Sequence, residues 1–180
     1  MRIIAGTARG VRLAAVPDGT RPLADRAREG LFSSLGEAVS GAAVLDLFAG
    51  TGAVGIEALS RGAARAVFVD SSAEAVRTIR ENLGRAKLTD RAHVHRRDVR
   101  KALHADLGRF DLVFLDPPYA LGGTDLDSLL ADLAARGTVT EGGLIVLTRE
   151  IKNSTPVIPV DWRSDRRLSY GDAAVLVYRA

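Results

Sequence analysis

From residue 43 onward, short apolar runs rich in β-branched residues alternate with longer stretches whose apolar positions recur every three or four residues. The runs AVLDLF (43–48), RAVFVD (65–70), DLVFLD (111–116) and GGLIVLT (142–148) predict buried strands, with the more polar AHVHRRD (92–98) as another. Between them, AVGIEALSRG (53–62) predicts a helix that Gly62 stops after Arg61 in its last turn. Ser71 and Glu74 have the spacing of a capping box, opening a helix with Val76, Ile79, Leu83 and Ala86 on one face. A short helix over 99–107 and another carrying Leu126, Leu129, Leu130 and Leu133 complete the alternation. Strands separated by helices of this length imply a parallel sheet covered on both faces.

The two ends break this rhythm. In RRLSYGDAAVLVYRA, two strand-like runs flank Tyr170-Gly171-Asp172, which predicts a terminal antiparallel hairpin. At the front, RIIAGTARGVRLAAV reads as a second hairpin, followed by a helix from Asp25 to about Val39 with Ala27, Leu31, Phe32, Leu35 and Val39 turned inward. The segment Lys152–Asp165, with Pro156 and Pro159, reads as a loop. The expected fold is α/β: a seven-stranded, mostly parallel sheet with helices on both faces and an antiparallel C-terminal strand, preceded by a β-hairpin and helix. The expected division is residues 1–40 for the N-terminal extension and 41–180 for the α/β domain.

Composition narrows the function classes. A chain of 180 residues and 19.1 kDa suits one sizeable core. Without cysteine it has no disulfide framework, thiolate metal site or Cys nucleophile, and three histidines offer little for a metal cage. No apolar run approaches a membrane span and the N-terminus lacks a signal-peptide core, so the expectation is a soluble, cytoplasmic monomer with no metal. The net charge of +3 conceals an asymmetry. Residues 1–28 hold Arg2, Arg9, Arg12, Arg21, Arg26 and Arg28 against Asp18 and Asp25, whereas the other 152 residues hold 19 bases and 20 acids. Such an arm is an electrostatic footprint for phosphates, and these six arginines are its candidate contacts to a phosphate or a base edge; a solvated basic arm in an arginine-rich chain (22 Arg, 3 Lys) gives the same composition.

Gly50-Thr51-Gly52-Ala53-Val54-Gly55 is a G-x-G-x-x-G loop between predicted strand and helix, and Asp70 ends the next strand 20 residues after Gly50. Glycines there let the backbone approach a nucleotide, and the acid holds ribose hydroxyls. Asp46, four residues ahead of the loop, would repel a pyrophosphate and attract a ligand carrying an ammonium and a sulfonium. S-adenosylmethionine has both. Its candidate contacts are Asp46, Ala49, Gly50, Thr51, Gly52, Asp70, Ser71, Asp98 and Val99, with Asp98 meeting the adenine amine, capping the next helix, or both.

Asp116-Pro117-Pro118-Tyr119 follows the strand DLVFLD and would face the same crevice. The exocyclic amine of a nucleobase is planar, its lone pair delocalised into the ring. A carboxylate oxygen of Asp116 and the carbonyl of Pro117 can accept its two N–H bonds, orienting the nitrogen and favouring pyramidal character as it attacks a methyl group. The double proline (Pro117 and Pro118) stiffens the loop, and Tyr119 offers a face on which a base can stack.

With these motifs in this order the chain resembles class I S-adenosylmethionine-dependent methyltransferases, whose fold is Rossmann-like. Arg2-Ile3-Ile4-Ala5-Gly6 and Arg21-Pro22-Leu23-Ala24-Asp25-Arg26-Ala27-Arg28-Glu29, then Leu31-Phe32, resemble the bacterial RsmD family of 16S rRNA guanine-N2 methyltransferases over nearly the whole chain. The resemblance implies a guanine in the small-subunit RNA as substrate, methylated on N2 in an assembled or partly assembled particle, with the N-terminal hairpin and helix gripping the RNA. Two features depart from the pattern. The family's glutamate at the end of the fifth strand falls where this chain reads Thr148-Arg149-Glu150, and the helix usual before the sixth strand is shortened or lost. Competing functions are an amine methyltransferase for adenine N6 or cytosine N4 in DNA, which shares Asp-Pro-Pro-Tyr, a nicotinamide-dependent oxidoreductase, and a non-catalytic ribosome-assembly factor.

Overall fold

A computed structural model describes residues 1–15, 24–105, 107–118, 120–152 and 155–180. The strands β1 (Ala43–Leu47), β2 (Arg65–Asp70), β3 (Ala92–Arg96), β4 (Phe110–Leu115), β5 (Val139–Glu150), β6 (Arg163–Tyr170) and β7 (Ala173–Arg179) form one sheet in the order β3-β2-β1-β4-β5-β7-β6. All neighbours from β3 to β5 pair in parallel, and β7 lies antiparallel between β5 and β6. The helices are α1 (Asp25–Leu35), α2 (Ala53–Ser60), α3 (Ala73–Ala86), α4 (Val99–Leu103) and α5 (Gly123–Ala135).

The strand runs alternate between two cores, as the pleat requires. Val44, Phe68, Phe114, Val146 and Val177 point toward α1, α2, α3 and the N-terminal arm. Leu45, Val67, Val113, Ile145 and Tyr178 point toward α4, α5 and the chain around Trp162. Among the described residues of 151–162 there is no helix, as the loop reading anticipated, but β6 begins at Arg163, so residues 163–165 are strand and not loop; Ile158 and Trp162 pack on the second core.

The N-terminal arm is less regular than the expected hairpin. Its two halves meet at one antiparallel bridge, Arg2 with Arg12, and Ile3 donates to Val11 O at 3.0 Å while accepting from Gly10 N–H at 2.8 Å. It is no loose appendage, since Ile3, Ala8 and Leu13 are buried in the same core as α1 and the sheet. The helix predicted to Val39 stops at Leu35, and residues 36–39 tighten into a 3-10 turn after Gly36. α3 begins one residue later than the capping-box spacing implied: Ser72, not Ser71, accepts the Ala75 N–H at 3.3 Å. α4 spans five residues, shorter than 99–107, and β5 is longer than 142–148. At the C-terminal hairpin the turn is Gly171-Asp172, and Tyr170 lies so close to α1 that a Cβ at Gly30 would sit 2.2 Å from its hydroxyl. Arg166 Nη1 also donates to the Ser34 carbonyl and, at 3.0 Å, to Ser34 Oγ.

One sequence reading is corrected here. Arg28 is not an RNA contact: it is 0% exposed. Its Nη2 donates to the Arg2 carbonyl and, at 3.1 Å, to Asp25 Oδ1, while its Nε lies 3.8 Å from Glu57 Oε2. Position 28 falls on the inward stripe of α1 with Ala27, Leu31 and Leu35, so the helix carries this charge into the core. Glu57, also 0% exposed, accepts from Ile4 N–H at 2.8 Å, Ala5 N–H at 3.1 Å and Arg61 Nε at 2.7 Å. Arg61 in turn lies over the Phe32 ring at 5.0 Å. The buried ions therefore fasten arm, α1 and α2 together. Removing one partner of a buried ion pair costs about 3–5 kcal/mol. Arg28→Ala is accordingly expected to lower unfolding stability by about that much, read as a drop in the urea midpoint with unchanged slope; a shift below about 1 kcal/mol would contradict this role.

Candidate active site

Strand order reverses between β1 and β4: after β1 the chain enters α2 on one face, and after β4 it leads to α5 on the other. The connections diverge and leave a crevice beyond the carboxyl ends of the two strands. Asp46 in β1 and Asp116 just after β4 flank it, and the strands stay paired to its floor, with the Asp116 N–H directed at Leu47 O at 3.4 Å.

The glycine loop closes one side. Gly50 donates its N–H to Asp70 Oδ2 at 2.9 Å, Ala49 donates to Val69 O, and Gly52 donates back to Ala49 O at 2.7 Å. Two steps in this chain are strained or specialised. Phe48 holds a φ of +59°, a left-handed conformation that a bulky side chain adopts at a cost of about 1–2 kcal/mol. Gly55 faces Asp46 and Phe68 so closely that a Cβ would lie 3.0 Å from the carboxylate and 2.4 Å from the ring. That approach lets the Gly55 N–H donate to Asp46 Oδ2 at 3.0 Å.

Asp46 is deeper than its position at the loop mouth suggested, only 4% exposed. Burial, opposed by the Gly55 hydrogen bond and aided by the negative charges of Asp116 and Asp70, pushes its carboxyl up to about 8. Asp116 is half-buried, and desolvation pushes it up to about 6. A crevice with these carboxylates favours a cation, which would restore the ionised form of Asp46. The residues present thus fit S-adenosylmethionine: acid for its positive groups, glycine backbone for close approach.

Asp70 spends both carboxylate oxygens locally, on Gly50 N–H and on Ser72 N–H at 2.9 Å, so it shapes the loop and faces a ribose only through its remaining lone pairs. Thr51 is 4% exposed, with Oγ1 accepting from Ala53 N–H at 3.4 Å. Ser71 is exposed beside this turn. Asp98 caps α4 through Lys101 N–H at 3.1 Å, leaving its exposed second oxygen for a ligand. The Val99 side chain is buried in the second core, so its backbone amide is the part that can meet adenine.

Pro117 is buried and Pro118 exposed, and the Pro118 carbonyl accepts from Leu121 N–H at 2.9 Å, which closes the turn. The Pro117 carbonyl has no hydrogen-bond donor among the described residues. Tyr119 lies outside the described residues, as does Arg21. Arg2, Arg9, Arg12 and Arg26 are exposed on the arm and α1. Glu150, at the end of β5, pairs with Lys152 at 3.1 Å. Among the described residues no cluster of His, Asp or Glu is placed to hold a metal, and no helix is long and apolar enough to cross a membrane.

Three contributors escaped the sequence reading. Phe48 gave no signal, because φ is not written in composition. Glu57 is a lone acid within the apolar run AVGIEALS, and Asn82 falls between Ile79 and Leu83 on the buried stripe of α3; a polar residue on an apolar face was the available sign for both.

The sequence matches the family described as Conserved hypothetical protein 95 over residues 1–179. Ribosomal RNA small subunit methyltransferase D of Escherichia coli K12 is 35% identical over 99% of this chain and 89% of its own length. The protein of the same name from Haemophilus influenzae is 30% identical over 99% and 93%. The solved structure of yhhF from Escherichia coli is 34% identical, with a TM-score of 0.90 over 99% of this chain and 97% of that one. An RNA methyltransferase from Salinibacter ruber in complex with S-adenosyl-L-homocysteine, 18% identical with a TM-score of 0.68 over 88% and 93%, shares the fold. The chain belongs to this family, that of the RsmD rRNA methyltransferases, and its fold is the Rossmann-like one of class I S-adenosylmethionine-dependent methyltransferases.

Proposed function

We propose that the chain transfers a methyl group from S-adenosylmethionine to the exocyclic N2 amine of a guanine in 16S rRNA, presented by the small ribosomal subunit or its assembly intermediate. The carrying observation is the placement of Asp116, on its stiff proline turn, across the crevice from Asp46 and the glycine loop. The names of the full-length relatives support the rRNA substrate. When bound, S-adenosylmethionine supplies an electrophilic methyl group on a sulfonium. Asp46, Ala49, Gly50, Thr51, Gly52, Asp70, Ser71, Asp98 and the Val99 amide hold it. Asp116 and the Pro117 carbonyl accept the two N–H bonds of the amine, and the proton the amine sheds on methylation leaves toward the Asp116 carboxylate. Residues 1–40 form the RNA-binding extension to the methyltransferase domain of 41–180, with Arg2, Arg9, Arg12 and Arg26 as its phosphate contacts.

Incubation with labelled S-adenosylmethionine and small ribosomal particles, followed by nucleoside analysis, is expected to yield N2-methylguanosine. N6-methyladenosine or N4-methylcytidine in its place would overturn the base assignment. Asp116→Ala is expected to lower kcat by about 10²–10³ while calorimetric cofactor affinity stays within a few-fold, since it removes an interaction aimed at the reacting group.

Asp46 sets a pH dependence. Its folded pKa lies above the unfolded value, so between about pH 4 and 8 the ligand-free folded chain holds a proton that the unfolded chain has released, and stability falls as pH rises. Cofactor binding reverses the preference and expels that proton. Affinity for S-adenosylmethionine should therefore tighten as pH rises from about 6 to 8, by several-fold, and Asp46→Asn should flatten the profile in calorimetry across that window.

Because Ile3, Ala8 and Leu13 belong to the core, the arm is tested by charge rather than by deletion. Arg9→Ala combined with Arg12→Ala is expected to weaken particle binding about tenfold at low salt, to reduce the salt slope by about 1–2, and to leave cofactor affinity unchanged. An unaltered slope would remove these two residues from the RNA interface.

A further inference from the structure

Asn82 is 0% exposed, both of its amide hydrogens are donated and its amide oxygen accepts a hydrogen bond. Its Oδ1 accepts the Ala14 N–H at 2.7 Å. Its Nδ2 donates to the Ala14 carbonyl at 3.1 Å and to the Thr51 carbonyl at 2.9 Å. One carboxamide thus imitates a strand neighbour for Ala14, satisfying both main-chain groups of that residue, and with its other hydrogen takes hold of the glycine loop. The arm and the loop are far apart in sequence but share a single nitrogen atom.

The surroundings make this junction stiff. Asn82 is on α3 between Ile79 and Leu83, both buried, and Ile79 would lie 3.2 Å from a Cβ at Gly52, the residue after Thr51. The other part of the arm is fixed to α2, the helix that issues from the same loop. Glu57 receives Ile4 and Ala5 N–H, while Ser60 Oγ receives Ala8 N–H at 2.9 Å and donates to the Ala5 carbonyl at 2.5 Å. A Cβ at Gly6 would meet the Ser60 carbonyl at 1.8 Å, so the arm lies directly on the helix backbone. Both helices that bracket the cofactor loop therefore also carry the arm.

We propose that Asn82 is a positioning residue that couples the two substrates: ligand in the glycine loop fixes Thr51, and through the shared carboxamide fixes Ala14 and the arm, so that cofactor and RNA bind with positive cooperativity. This rests on the functional reading above, which makes the loop a cofactor site and the arm an RNA contact. Coupling between sites is reciprocal by thermodynamic necessity. Ordering a segment with the first ligand lowers the cost of ordering it with the second.

The test uses the full chain, S-adenosylhomocysteine and small ribosomal particles. In the parent, saturating S-adenosylhomocysteine is expected to tighten particle binding about fivefold or more, with particles tightening S-adenosylhomocysteine by the same factor. Asn82→Leu removes all three hydrogen bonds, and Asn82→Asp keeps the Ala14 N–H while setting a carboxylate against two carbonyl oxygens. Both are expected to bring the factor close to 1. A residue with only a structural role would lower stability in these variants and leave the ratio intact, and that result overturns the proposal, as does a parent ratio of 1. Hydrogen exchange on the parent needs no variant: S-adenosylhomocysteine is expected to slow exchange of the Ala14 amide several-fold, and an unchanged rate also overturns the proposal. Failure of S-adenosylhomocysteine to bind at all would instead bring down the functional reading itself.

Discussion

A parallel sheet built outward in both directions from its first strand must change the side on which its connections run. In this chain the change falls between β1 and β4. Two adjacent strands then end side by side beneath a crevice, and side chains near those ends are brought close to one another. Asp46 lies one residue before the end of β1 and Asp116 one residue after the end of β4. Desolvation raises both carboxyls, with the charge of Asp116 adding to the shift of Asp46, and this makes the gap a place where positive charge is welcome. The crevice, the position of the Asp116 turn at its edge and the raised carboxyls all descend from that topological fact.

The second theme is that polar groups in the interior serve as fasteners between segments distant in sequence. Glu57, Ser60 and Asn82 each satisfy main-chain groups of the first 14 residues, which lack a regular ladder of their own. An irregular segment pressed against a core must find partners for its N–H and C=O groups, because leaving them dry and unpaired is expensive. Here α2 and α3 provide those partners as side chains. The arm consequently packs as part of the α/β unit, while Arg2, Arg9 and Arg12 remain exposed.

How much of this was legible in the chain differs by level. The strands and helices of the central region were readable because burial on both faces demands continuous apolar runs, and AVLDLF, RAVFVD and DLVFLD have no competing interpretation. The glycine loop with Asp70 and the Asp-Pro-Pro turn were readable because those residue types are needed for backbone approach and for a rigid acceptor pair. Local errors arose where two similar residues compete. Ser71 and Ser72 both suit a cap, and only the geometry after Asp70, whose carboxylate takes the Ser72 N–H, selects the second. Arg28 was misjudged for a different reason: sequence charge does not reveal direction, and an arginine one position from Ala27 on an inward stripe lies in the core rather than in solvent. For Asp46 neither its depth nor its raised carboxyl is written in the sequence, since both depend on how closely Gly55 lets the backbone approach it.

The contact between the hairpin tip and α1 bears on how the molecule is assembled. Gly30 receives the ring of Tyr170 and Ser34 receives Arg166, residues separated by well over a hundred positions. During synthesis α1 leaves the ribosome well before β6, which supplies its outer seat. Until β6 is paired beside β7, α1 keeps its seat on the arm and on Phe114 of β4 but lacks the contacts from Tyr170 and Arg166. The full packing of α1 thus arrives late, with the closing of the sheet.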